Sequence, residues 1–247
     1  MLGGIAAITS RALRRRPGRV TPGPDAAPEQ LSTVHQVGTM DALLAGAYGG
    51  VAAVGELLAE GDTGLGSLEH LDGELVIVDG RAYRLRTGGA AEPVGDAERV
   101  AYGMVLPFTP SAFRGLDWSE ACEVERLADR LARGSGLVHA IRLDGTFRRL
   151  RVASVGRQEP PYRPYAELVE GAPETVWQDI PGTLVGFRTG DSLAGLSGSG
   201  FRFHFVDDER RRGGRVTDFT VGKGRLALQP GAGLRLAVLP QTRTKAA

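Results

Sequence analysis

From about residue 137 to residue 240 the chain is one β-rich run after another, and no other feature limits its fold as much. The segments "LVHAIRLDGTFRRLRVAS", "GTLVGFRT", "GFRFHFVDD", "RVTDFTVG", "GRLALQP" and "LRLAVLP" alternate apolar and polar residues at the two-residue period of a strand. Helical patterns sit in the first half. Thr39 is placed to cap "MDALLAGAY", with Met40, Leu43, Leu44 and Ala47 on one face. A second short helix fits "AAVGELLAEGD" and stops at Gly61. The strongest helix signal is "DWSEACEVERLADRLARGSG", with Asp117 as cap, Glu120 at capping-box spacing and Gly134 as the stop. Between them, "GELVIVDGRAYRLRTGG" predicts a hairpin turning at Asp79-Gly80, and the same signal predicts another at Asp144-Gly145. Helices early and strands late predict an α+β fold with antiparallel or mixed sheets.

Charge and composition exclude several function classes. The net charge of +1 provides no global field to recruit nucleic acid or an acidic membrane. No apolar run approaches the roughly 20 residues of a membrane span. A single cysteine, Cys122, excludes an intrachain disulfide and is expected to pack inside its helix. The histidines His35, His70, His139 and His204 lie far apart, without the close spacing of a metal site. His35, His70 and His139 are expected to be structural. The first thirty residues place arginines after the apolar residues, the wrong order for a secretory signal, and are rich in proline; they predict a flexible basic lead-in and a cytoplasmic protein.

The stretch "GFRFHFVDDERRRGGRVTDF" raises the functional question. It reads as two strands around a charged turn, with Arg202 and His204 two apart and Arg215 on the return. In a strand, residues two apart share a face. Asp207, Asp208 and Glu209 are expected to neutralise Arg210, Arg211 and Arg212 in an exposed tip. "LSGSGF" is expected to form a mobile rim, and Glu159 in "RQEPPY" to order a connecting loop.

The chain resembles the α-acetolactate decarboxylase family from about Leu31 to Pro240. The resemblance is carried by "TVHQVGTMDALLAGAYGG", "LLAEGDTGLGSLEHLDGELVIVDGRAYRL", "AIRLDGTF", "RQEPPYRP", "GTLVGFRT" and "FHFVDDERRRGGRVTDF". It implies two lobes with mixed and antiparallel sheets, here residues 31–135 and 136–247 after the lead-in of 1–30, and a homodimer. It implies decarboxylation of acetolactate to acetoin at a zinc ion held by a His-x-His pair and a third histidine. Those positions are Arg202, His204 and Arg215 here, and a guanidinium has no free lone pair for a metal. Gly49, Val51 and Gln241 stand where the family has carboxylates. The expectation is therefore no catalytic metal and no cofactor. Arg142 of "AIRLDG" is implied to face the substrate. Arg142, Arg202 and Arg215 are expected to converge on a small carboxylate or keto substrate, with His204 and Arg142 catalytic. This points to a metal-independent enzyme diverted to another carboxylate or β-keto acid, by decarboxylation, isomerisation or cyclisation, in bacterial specialised metabolism. A non-catalytic anion-binding protein and a zinc-dependent acetolactate decarboxylase remain the alternatives.

Overall fold

A computed structural model describes residues 32–132 and 138–238. The expected lead-in, the stop at Gly134 and Gln241 lie outside the described residues. The chain order is strand β1 (Ser32–Val37), helix α1 (Met40–Leu44), strand β2 (Ala52–Ala53) and helix α2 (Val54–Leu58). Strand β3 (Thr63–Leu68) leads into the hairpin of β4 (Glu74–Val78) and β5 (Arg81–Leu85). After it come β6 (Ala91–Pro93), β7 (Arg99–Leu106) and β8 (Ala112–Glu120). Helix α3 (Ala121–Ala132) precedes the long strands β9 (Val138–Ala153) and β10 (Glu174–Thr189), with helix α4 (Tyr165–Glu170) between them. Helix α5 (Ala194–Ser197), β11 (Gly200–Asp207) and β12 (Gly213–Ala237) follow.

The strands hydrogen-bond in the order β11-β10-β9-β12-β1-β7-β3-β4-β5-β6, with β2 beside β7 and β8 beside β12. The β1–β12 pair is parallel, and the other neighbours are antiparallel. This is a mixed sheet in a mainly β protein with few helices, as the strand patterning and the resemblance predict. Because β11 also bonds β12 at His204–Arg215, the strands β11, β10, β9 and β12 close on themselves.

Side-chain alternation divides the core between the two faces of these strands. One face carries Phe147, Phe203, Phe205 and Phe219, onto which α3 lays Val124, Ala128 and Ala132. Phe147 meets Phe205 and Phe219 edge-on, at 5.3 and 5.8 Å between ring centroids. On the other face, Val185 and Val206 pack under Val76, Val78, Tyr83 and Leu85 of the β4–β5 hairpin. Beside them Ala140 and Phe187 pack with Leu65, Tyr102 and Met104.

Several local expectations hold. Thr39 caps α1, its Oγ1 accepting from Ala42 N at 3.2 Å. Asp79 and Gly80 turn the hairpin with φ of 52° and 71°, the left-handed pair that a tight two-residue turn requires. Others are corrected. Asp144-Gly145 makes no turn, because β9 runs straight through it between β10 and β12. Gly145 serves close approach instead, since a Cβ there would collide with the Lys223 carbonyl oxygen of β12. The last three predicted strands are one strand, β12, which absorbs its irregularities as register shifts at Val216, Thr220 and Val221. Asp117 to Glu120 are extended in β8, with Asp117 paired to Lys223, so the helix begins four residues later than its cap signal. Glu123 then accepts from Glu120 N at 3.0 Å. Cys122 is exposed rather than packed. The patterning also missed β1, β3 and β7. β3 carries Gly64 and Gly66, and a Cβ at either would run into a carbonyl oxygen of β7.

Candidate active site

Where the closed strands meet β3, β4 and β7, a cavity of about 180 Å³ opens. Its polar wall is Ser67 of β3, Glu74 of β4, Tyr102 of β7, Tyr165 of α4, and Arg202, His204 and Arg215 of β11 and β12. Its apolar wall includes Met40, Leu43, Leu65, Phe201 and Phe203. Strand geometry delivers the three predicted side chains. Arg202 and His204 share a face two residues apart, and Arg215 is the direct cross-strand partner of His204.

His204 is buried, and its Nδ1 donates to the Leu75 carbonyl at 2.8 Å. That bond assigns the neutral tautomer, with the lone pair on Nε2. Desolvation by burial lowers its pKa; Glu74 and the bond to Leu75 oppose this, and Arg215 and Arg202 add to it. The imidazole is therefore neutral at pH 7. The consequence for stability has a definite sign. Above the ordinary value of 6.5 neither state binds the proton, whereas below it the unfolded chain takes a proton that the folded state refuses. Denaturant titrations from pH 7.5 to pH 5.5 should show stability falling below about 6.5, with a His204 share of at most ~1.4 kcal/mol per pH unit. The fall should be smaller in His204→Gln; an equal fall in both proteins rules this out.

Arg202 is held from one side. Its Nη2 donates to Tyr102 Oη at 3.1 Å and approaches Met104 Sδ at 3.5 Å, and its guanidinium carbon lies 5.7 Å from the Tyr102 ring centre. Burial pushes the Tyr102 phenol up to about 12, so it stays protonated and donates to Ser197 O at 3.1 Å. Ser197 Oγ in turn donates to Gln36 Oε1 at 2.5 Å, and Gln36 Nε2 donates to Leu196 O at 2.7 Å. The "LSGSGF" rim is thus tied to β1 and β7. Arg215 Nε lies 4.0 Å from Glu74 Oε1. The Nε atoms of both arginines are buried without a hydrogen-bond partner. A buried donor left unmade costs about 1–3 kcal/mol.

Arg142 is not brought to this cluster. The register sets Arg142, Val185 and His204 in one row across β9, β10 and β11. The β4–β5 hairpin packs on Val185, and its turn residue Asp79 takes the Arg142 Nη1 at 2.6 Å, while Asp144 takes Nε at 2.9 Å. Against the desolvation that opposes it, these bonds hold the Arg142 pKa above its ordinary range. The expected convergence of three guanidiniums is therefore a convergence of two. The charged tip also differs from expectation. Asp207 is buried and organises the turn, its Oδ1 accepting from Arg211 N and Arg212 N and its Oδ2 from Arg212 Nε.

Sequence reasoning missed Glu74, Tyr102 and Tyr165. The first had a readable signal: Glu74 shares a strand face with Val76 and Val78, and a carboxylate on an apolar stripe stays buried only with partners. Ser67 Oγ donates to Glu74 Oε2 at 2.6 Å.

The comparisons with known proteins bear on this geometry. A family model described as "Alpha-acetolactate decarboxylase" matches residues 34–245. The chain belongs to the alpha-acetolactate decarboxylase family. It is 37% identical over 194 residues to the alpha-acetolactate decarboxylase of Bacillus licheniformis, covering 78% of this chain and 77% of that one. It is 36% identical over 194 residues to that of Bacillus subtilis, with 78% and 75% covered. The crystal structure of the enzyme from Bacillus subtilis strain 168 superposes with a TM-score of 0.82 at 33% identity, covering 85% of this chain and 90% of that chain. Family membership makes the chain a member of a carboxy-lyase family. It also overturns the expectation of an enzyme diverted to another substrate, because relatives matching about four-fifths of the chain are alpha-acetolactate decarboxylases. No comparison supports a cyclase.

The resemblance also implies a zinc ion, and the donor set here does not fit it. Among the described residues no group of three His, Cys, Asp or Glu side chains comes together. The cavity presents one imidazole, already using Nδ1, and one carboxylate, and guanidiniums cannot ligate a metal. Among the described residues, no helix is long and apolar enough to cross a membrane.

Proposed function

We propose that the protein is an acetolactate decarboxylase, releasing CO2 from the 2-hydroxy-3-oxo carboxylate and forming acetoin. Family membership along most of the chain supports the reaction. The observation that carries it to particular residues is the pair of inward guanidiniums, Arg202 and Arg215, with their Nε atoms unpartnered. One holds the substrate carboxylate through charge-assisted bonds. When the C1–C2 bond breaks, its electron pair moves toward the C3 carbonyl, and the other guanidinium stabilises the oxyanion that forms there. One proton must then be added at C2. His204 Nε2, carrying a lone pair on the cavity wall, relays it from solvent. Glu74 offsets one of the two cationic charges, leaving the site at net +1 against a monoanionic substrate.

The experiment is colorimetric acetoin release from racemic acetolactate by the purified chain. The expected result is turnover that follows enzyme concentration, with kcat reduced about 10²–10⁴-fold in His204→Gln, the usual reach of general acid–base catalysis. Tight binding of small carboxylates with no acetoin formed would overturn the reading in favour of a non-catalytic binding protein.

A further inference from the structure

Tyr165 is the polar group of the cavity that a helix of the proline-rich connection supplies. It stands on α4, directly after Pro164. Its hydroxyl reaches Glu74 Oε1 at 3.4 Å, a long and weak bond, whereas the other Glu74 oxygen is firmly taken by Ser67 at 2.6 Å. Arg215 Nε stands 4.0 Å from the same Oε1 and makes no hydrogen bond. A phenol, a guanidinium and a carboxylate oxygen therefore converge with none of them well paired. Such under-used donors cost free energy that a ligand oxygen seated among them would recover.

We infer that Tyr165 and Arg215 form a subsite that reads a second oxygen on the ligand, the one on the carbon next to its carboxylate, so that the cavity selects 2-oxygenated carboxylates over simple ones. This rests on the proposed carboxylate clamp. With the carboxylate on Arg202 and Arg215 facing the adjacent C2 and C3 oxygens, the 2-hydroxyl would lie beside the phenol, and Glu74 Oε1 could accept that hydroxyl's own proton. Each new bond replaces a poor one. The phenol acts here as a neutral donor, since burial, then the neighbouring Glu74, hold its pKa above the ordinary tyrosine range. Around it the wall is apolar at Leu43, Leu65 and Phe203, and the hydroxyls of Ser67 and Tyr102 already donate to Glu74 and to Ser197 O.

The test compares isobutyrate with 2-hydroxyisobutyrate, which differ by the hydroxyl alone, by titration calorimetry on the full chain. The hydroxyl should tighten binding about fivefold, the worth of one net neutral hydrogen bond. In Tyr165→Phe this advantage should shrink below about twofold, while isobutyrate binds as before. An equal advantage in both proteins overturns the inference, and so does a phenylalanine variant that loses isobutyrate as well, because the role is then structural. If neither acid binds the unmodified chain, the clamp falls and the subsite with it. A protein that shows the hydroxyl preference but releases no acetoin overturns the decarboxylase reading and leaves the subsite standing.

Discussion

Arg202→Gln should lower kcat/KM for acetoin formation by about 10²–10³-fold, the cost of removing one preorganised charged donor from a buried site. Among the described residues, the guanidinium forms no ion pair with a carboxylate. It leans on the Tyr102 hydroxyl and ring, and its Nε has no hydrogen bond. Its charge is therefore available to a ligand. The same contacts explain why the fold should tolerate the change. Tyr102 keeps its bond to Ser197 O, and the rim keeps Gln36. Arg202→Lys should recover part of the rate, since an ammonium restores the charge without the planar fork. Steady-state kinetics with a melting curve for each variant decides this. A kcat/KM within a factor of three of the parent for Arg202→Gln would show that the guanidinium does not meet the substrate. Arg215 gives a less clean test, because removing it also strips the buried Glu74 of its cationic neighbour.

Phe147→Ala should cost about 3–5 kcal/mol of stability, the range for a buried aromatic truncated to a methyl. Phe147 has no exposed surface, and its ring meets both Phe205 and Phe219 edge-on. Those partners come from β11 and β12, so the ring ties together three of the four strands that close on themselves. Gly145 and Gly224, which let the backbones of β9 and β12 approach closely beside it, leave little freedom for the strands to collapse into the cavity. Guanidinium titration should show the midpoint falling with the slope unchanged. For a chain of this size the thermal midpoint should drop by roughly 6–20 °C. A loss below 1 kcal/mol would mean that the site repacks, and that the closed strands are held by their hydrogen bonds rather than by this ring.

Much of the fold was legible in local chemistry. Thr39 announced α1, Asp79-Gly80 announced the β4–β5 hairpin, and the alternation after residue 137 announced the long strands. The errors have a common cause. A glycine looks the same in sequence whether it bends the chain or lets another backbone approach. Asp144-Gly145 was read as a bend, yet there, as at Gly64 and Gly66 of β3, the missing Cβ makes room for a neighbouring strand. The start of α3 moved because an edge offered by β12 captured Asp117 to Glu120 as β8, and tertiary pairing overrode the cap signal.

By itself the sequence determined that Arg202 and His204 share a strand face, because residues two apart do so; that Arg215 joins them was implied by the family resemblance, and the β11–β12 register places it opposite His204. The sequence also determined the donor chemistry there, since guanidiniums hold anions and do not ligate metals. Tertiary structure alone decided what surrounds them. It removed Arg142 by laying Asp79 over its row, and it brought Glu74, Tyr102 and Tyr165 from three separate elements to the same cavity. Those contacts span from about sixty to more than a hundred residues along the chain, and no local period encodes which distant strand or helix will pack against a given face.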